Sequence, residues 1–400
     1  MGNDSKRNWK LDQQSVKATS QLSCHGTGCI LEKINRIYAD YNATTPLCPP
    51  VKNALANWNH FGNMSSGHQF GQAMHRLYNQ SCDAILSQLN AHSYRLFTCG
   101  SATEANHWFF HSVLTGIKGC PRVIISAIEH PCVWAPLQAY ATQGLIELVV
   151  CRMHADGTLD MAHFTELLTP QTGLVSMMLA NNEIGTILPI ADVCTMAHNA
   201  GALVHCDLVQ GVGKLPIDCD AMGADAWSMS SHKCYAPTGC GVLLVKNESL
   251  LKPIVLGGTQ QQGLRAGSVN VIGLHLFALG IDYCMTQWPH RLNIHDWANH
   301  VCNTIPAFRL VVPLTGLWNT VALAIDGMNG FDAMMKLDVN GIAVSTGSAC
   351  STGAVDASPC LLALGLPPNQ ASQVIRLSFG YPTTPAELGV IYDQLKHLHV

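Results

Sequence analysis

The sequence predicts an α/β protein, with a large domain around a mostly parallel sheet and a smaller α+β domain after it. Three observations carry this. Short β-branched and apolar runs alternate with helix-length stretches between residues 95 and 245. After about residue 275 that alternation gives way to two successive helix-length stretches and then a strand. The 400 residues, 48% hydrophobic and only 12% charged, are enough for more than one core, and the low charge suits a buried oligomer interface.

Residues 1–35 are polar, rich in Ser, Gln and Lys, and without periodicity, so a flexible N-terminal arm is expected there. The large domain, 36–272, opens with a structured segment at 36–40. Its strands are expected at 95–98, 123–127, 146–150, 173–179, 202–205 and 241–245. Helices at 103–114, 132–143, 161–168 and 190–200 separate most of them. The small domain, 273–400, supplies helices at 273–287 and 293–305 and a strand at 320–325. Ligands of such parallel sheets bind beyond the carboxyl ends of the strands, so the residues that follow these runs carry the functional reading.

Several classes are excluded. With 22 Lys and Arg against 26 Asp and Glu, and no basic block, nucleic acid is not an expected partner. The apolar run at 271–281, with His275 inside, falls short of the roughly 18 residues of a membrane span. The opening MGNDSKRNWK lacks an apolar signal core, and Lys6 stands where a myristoylation motif needs Ser or Thr. Seventeen irregularly spaced cysteines read as reduced core thiols, hence a cytoplasmic location. Cys24, His25 and Cys29 do not complete a zinc site, and no metal is expected.

Read singly, the chemical candidates are ambiguous. Lys233, in Ser-Met-Ser-Ser-His-Lys, is either a surface lysine or an imine-forming amine beside phosphate-binding hydroxyl and imidazole groups. Asp207 ends an apolar strand and either caps the next helix or partners a pyridinium nitrogen, with Gln210 following. The small-residue loop at 99–103, ending in Thr103, is either a tight turn or a phosphate site at a helix N-terminus. His130 ends a strand, as a structural or a catalytic histidine. Cys350 sits among small residues in STGSACSTG, where a thiolate could swing between substrate and partner. Arg376, in IRLSFG, could fork a carboxylate or form a surface ion pair.

Together these stretches resemble the cysteine desulfurases of the NifS and IscS type, over residues 38–395. These are pyridoxal phosphate enzymes of fold type I in the class V aminotransferase family. The matching motifs in chain order are YADYNATTPL, GNMSSGHQFG, SATEAN, EH at Glu129 and His130, NNEIGT, HCDLVQGVGKLPID, SMSSHKCYAPTGCGVL, GLRAGSVNV, STGSACSTG and RLSFG. The resemblance implies that Lys233 binds pyridoxal phosphate covalently, Asp207 pairs with its ring nitrogen, and Gln210 bonds its ring hydroxyl. It implies that His130 stacks on the ring and moves protons, and that Thr103, Ser230 and His232 hold the phosphate, helped by Ser268 from a second subunit. Asn182 and Arg376 would hold the substrate carboxylate, and Cys350 would take the sulfur as a persulfide. L-cysteine would thus become L-alanine, with the sulfur passed to an acceptor protein for iron–sulfur cluster assembly or thiolation, by a homodimer.

Met64, Ala236, Thr238, Gln261 and Gln262 depart from the family pattern. Two other readings stay open: selenocysteine or cystine lyase chemistry on the same cofactor, and a non-catalytic homologue acting as a binding subunit.

Overall fold

A computed structural model describes residues 36–346 and 357–398. The expected N-terminal arm, with Cys24, His25 and Cys29, and the expected nucleophile Cys350 lie outside the described residues.

Strand β1 (Ile37–Tyr38) is followed by the strands of the main sheet: β2 (Arg95–Cys99), β3 (Arg122–Ser126), β4 (Glu147–Cys151), β5 (Thr172–Met178), β6 (Leu203–Asp207), β7 (Ala226–Ser230) and β8 (Gly241–Val245). Their spatial order is β2-β8-β7-β6-β5-β3-β4. Every pair from β7 to β4 is parallel, and β8 runs antiparallel to both of its neighbours. Strand β2 therefore points the same way as the parallel set, and six carboxyl ends share one edge of the sheet. Helices cover both faces, as such a sheet requires. Alternation along β3 shows this: Val123 and Ile125 join one apolar cluster with Trp108, Phe109 and Phe110, while Ile124 joins another with Ile85, Val193 and Phe277. The three aromatics on helix Ala102–Leu114 are fully buried, and each contributes about 2–3 kcal/mol of apolar burial.

The smaller sheet contains β9 (Phe308–Leu310), β10 (Thr320–Ile325) and β12 (Val374–Ser378), antiparallel in the order β12-β10-β9. Strand β11 (Ile342–Ala343) pairs in parallel with β1. Val321, Leu323 and Ile325 form a second core with Ala298 and Val301 of helix Ile294–Thr304 and Leu388 and Ile391 of helix Pro385–His397. The opposite face of β10, through Ala322 and Ala324, packs into the core of the main sheet.

The cores do not divide at 272/273 as the sequence suggests. Helix Val271–Gln287 buries Leu274, Phe277 and Ile281 with the main sheet, and Ile37 and Ala39 pack with the small one. An apolar run shows that a helix is buried but not against which sheet, and β1 owes its place to pairing with β11, more than 300 residues away.

Candidate active site

At the shared edge of the main sheet, opposite the small sheet, lies a cavity of about 380 Å³. Strand β7 leads into it. After Ser230 the chain makes one 3-10 turn, Ser231–Lys233, and returns as β8, with Ser230 paired to Gly241 at the base. Ser231 Oγ ties the loop by donating to Cys240 O at 2.9 Å. Tyr235 takes φ +58°, a left-handed conformation that costs a bulky residue free energy. It is held there by Thr45 Oγ1, which accepts its N–H at 2.7 Å. This bracing presents Lys233 to the cavity, where Nζ donates to the carbonyls of Asn42 and Ala43, both at 2.6 Å.

Beside it, β6 ends in Asp207, 4% exposed. Oδ1 accepts the N–H of Val209 at 3.0 Å; Oδ2 has only Asn106 Nδ2 at 3.4 Å and Cys132 Sγ at 3.8 Å. Burial raises its pKa, against the Val209 bond and the nearby His130. A buried carboxylate with one strong hydrogen bond has room for a cationic N–H. His130 is the N-cap of helix Pro131–Thr142: its Nδ1 accepts the N–H of Cys132 at 3.1 Å and lies 2.9 Å from Cys132 Sγ. With Nδ1 accepting, the neutral ring carries its proton on Nε2. Burial lowers the imidazole, with Asp207 opposing and Lys233 adding to the effect. The Cys132 thiol is raised by burial and stays protonated.

The N-terminus of helix Ala102–Leu114 forms another wall, with Ser101 Oγ accepting from Glu104 N at 3.2 Å. Its first amide groups and Thr103 face the cavity together with Ser230 and His232. Burial and the amines of Lys233 and Lys214 lower His232 to about 4, so it is neutral, with Nδ1 3.2 Å from Thr44 Oγ1. Arg376, 3% exposed on β12, donates Nη2 to Asp40 Oδ1 at 2.5 Å and Nη1 to Asn182 O at 3.0 Å. Its buried Nε has no acceptor among the described residues.

The structure thus brings Lys233, Asp207, Gln210, His130 and Arg376 to one cavity, and Thr103, Asn182, Ser230 and His232 line it too. Ser268 is exposed and outside that lining. On either side of residues 347–356, Ser345 exchanges backbone hydrogen bonds with Arg376, and Ser358 Oγ donates to Glu183 Oε2 at 2.5 Å. Desolvation raises the Glu183 carboxyl to about 7.

Sequence reasoning gave no role to three residues that line or support the cavity: Asn42, Cys132 and Lys214. Lys214 follows Gln210 by four, inside a motif already noted, and Cys132 follows His130 by two, just beyond one. The departure at Gln261 is also clarified. At φ +45° its amide accepts from Thr98 N at 2.7 Å and donates to Thr98 O at 3.0 Å, closing the exposed edge of β2 as a strand would. A glutamate there could not make the second bond.

Residues 37–390 match the aminotransferase class-V family. A cysteine desulfurase of Cereibacter sphaeroides is 35% identical over 383 residues, covering 91% of this chain and 98% of the relative. Among solved structures, a NifS-like protein superposes with a TM-score of 0.84 at 25% identity, covering 91% of this chain and 99% of the other. SspA, solved in complex with cysteine, gives a TM-score of 0.75 at 25% identity over 86% of this chain and 98% of its own. Sequence kinship along nearly the whole length, and the common fold behind it, make this chain a member of the cysteine desulfurases within aminotransferase class V.

Proposed function

We propose that this cysteine desulfurase turns L-cysteine into L-alanine in the 380 Å³ cavity, passing the sulfur to Cys350. The observation that carries this is one of unmet polar demand. A buried carboxylate with one strong hydrogen bond, on Asp207, borders the same cavity as the Lys233 amine and the Arg376 guanidinium.

The residues fit pyridoxal phosphate. Lys233 would bind it covalently, Asp207 would meet its ring nitrogen, Gln210 its ring hydroxyl, and His130 would lie against the ring. Thr103, Ser230 and His232 would hold the phosphate at the helix N-terminus. When bound, pyridoxal phosphate supplies an electron sink next to the substrate Cα. Arg376 and Asn182 would hold the substrate carboxylate, which fixes Cα in place. The Lys233 amine takes the Cα proton, and His130, with its proton on Nε2, relays protons to the substrate. The Cys350 thiolate attacks the substrate sulfur: an S–S bond forms, the Cβ–S bond breaks, and its electron pair stays with carbon. Protonation of that carbon gives the methyl group of alanine, and the persulfide sulfur goes to an acceptor protein.

Ser268, exposed outside the cavity, would reach the phosphate of a neighbouring subunit in a homodimer. The cysteines among the described residues are free thiols, which suits the cytoplasm, and no described helix is long and apolar enough to cross a membrane. Iron–sulfur cluster assembly and thiolation are the proposed destinations of the sulfur.

A single-turnover incubation of the holoenzyme with L-cysteine tests this, with alanine quantified beside persulfide on Cys350 by peptide mass spectrometry. Equal amounts are expected, and Cys350→Ser should abolish both while the cofactor spectrum still responds to cysteine. Undiminished sulfide release by Cys350→Ser would refute the persulfide route in favour of lyase chemistry.

A further inference from the structure

Lys214, four residues beyond Gln210, is 5% exposed. Its Nζ donates to two side-chain amides, Asn42 Oδ1 at 2.9 Å and Gln210 Oε1, and makes no bond to a carboxylate among the described residues. A buried lysine without an acid is expensive to keep. Burial first, then the charges of Lys233 and Arg376, lower it to about 7, and the thiols of Cys234 and Cys284 oppose this weakly.

The arrangement has a chemical consequence. Below about pH 7 Lys214 is an ammonium, which offers donors only, so the amide atoms that face it are oxygens. Gln210 is left with its Nε2 group for everything else: one hydrogen goes to Asn42 O at 3.0 Å, and the other remains for the cavity that Gln210 lines. Asn42 Oδ1 also accepts from Asn319 Nδ2 at 3.2 Å. Its Nδ2 donates to Asn182 O at 3.0 Å and Thr320 Oγ1 at 2.8 Å. The Asn42 carbonyl that receives Gln210 is the one on which Lys233 rests.

We propose that Lys214 is a positioning residue for the desulfurase reaction, acting through Gln210 and Asn42. It locks the Gln210 amide so that an N–H, and not the carbonyl, meets the ring oxygen of the cofactor, and it pins the carbonyl beneath Lys233. This rests on the cofactor reading above. An N–H donor stabilises an anionic ring oxygen, and so weakens proton binding at the nitrogen that joins Lys233 to the cofactor.

The test is the pH midpoint of the visible absorbance of the holoenzyme, read without substrate. His232, lowered to about 4, is out of the way, and His130 is lowered as well. Lys214→Met should raise the midpoint by about one unit, a tenfold change, as expected for the loss of one charge-assisted hydrogen bond. Gln210→Met should shift it similarly, and the double variant should shift no further than Gln210→Met alone. Lys214→Gln, smaller in its disturbance of the buried site, should move the midpoint in the same direction. A midpoint within about 0.2 unit of wild type in both Lys214 variants, or additive shifts in the double variant, would overturn the proposal while the cofactor reading stands. Absence of any pH-dependent visible band in the wild-type chain loaded with pyridoxal phosphate would overturn both.

Discussion

Glu129, just before His130, offers a perturbation whose size follows from the structure. It is 6% exposed; Oε1 accepts from Ser126 Oγ at 2.5 Å and Met178 N at 2.9 Å, while Oε2 is buried without a partner. Burial raises its carboxyl from 4.5 to about 8, with both hydrogen bonds opposing and Asp207 adding to the rise. An acid raised in the folded state favours folding when protonated. Its contribution is therefore intact below the unfolded value near 4.5, and stability is lost as pH climbs from there through about 8. At about 1.4 kcal/mol per unit, the loss approaches roughly 4–5 kcal/mol above pH 8. Glu129→Gln keeps an oxygen for Ser126 and Met178 and cannot ionise. Urea unfolding at pH 5, 7 and 9, on wild type and variant in parallel, reports this group together with its coupling to Asp207, because groups not coupled to it cancel in the difference. The variant should gain progressively on wild type with rising pH. A pH-independent difference would refute the account of a carboxyl held neutral by burial.

Two further substitutions probe separate parts of the site. Arg376→Lys keeps a charge but loses the planar fork that serves both Asp40 and Asn182. It should raise KM for cysteine by about 10–100-fold, with a smaller fall in kcat, measured as alanine formed, the size of one charge-assisted hydrogen bond. Gly280→Ala would place a Cβ 2.1 Å from the carbonyl of Cys234, the residue after Lys233. A cost of about 1–3 kcal/mol in urea and weaker cofactor retention are expected. Gly389→Ala, in an open stretch of helix Pro385–His397 with nothing within 4 Å, should instead gain about 0.5–1 kcal/mol.

Much of the main sheet was legible because its strands are short β-branched runs between helix-length intervals. The expected strand at 241–245 is Gly241–Val245 as observed, and that at 173–179 shifts by one residue. Helix Gln69–Gln88 escaped because its N-cap is His68, outside the usual Ser, Thr, Asp and Asn signal, and its exposed face includes Phe70. The placement of β1 and of helix Val271–Gln287 was not legible, since each depends on a distant partner. The site residues at strand ends could be read from motifs, because strand ends are where sequence and function coincide. Asn42 and Lys214 could not, because their meaning lies in a network joining residues 42, 182, 214, 319 and 320, which local pattern does not encode.

Asn42 also bears on when the site comes into being. Its backbone N–H donates to Ser378 Oγ at 2.9 Å, and its side chain bonds to residues 319 and 320. A chain is synthesised from its N-terminus, so this loop, among the first structured parts made, waits unsatisfied until β12 has emerged. The lysine hairpin of β7 and β8 is local and needs no such wait. During biosynthesis the β7–β8 hairpin therefore precedes the arginine side of the cavity, and the amine gains its carbonyl support only once β12 is in place. A truncation that removes β12 should therefore disturb Lys233 from 145 residues away or less.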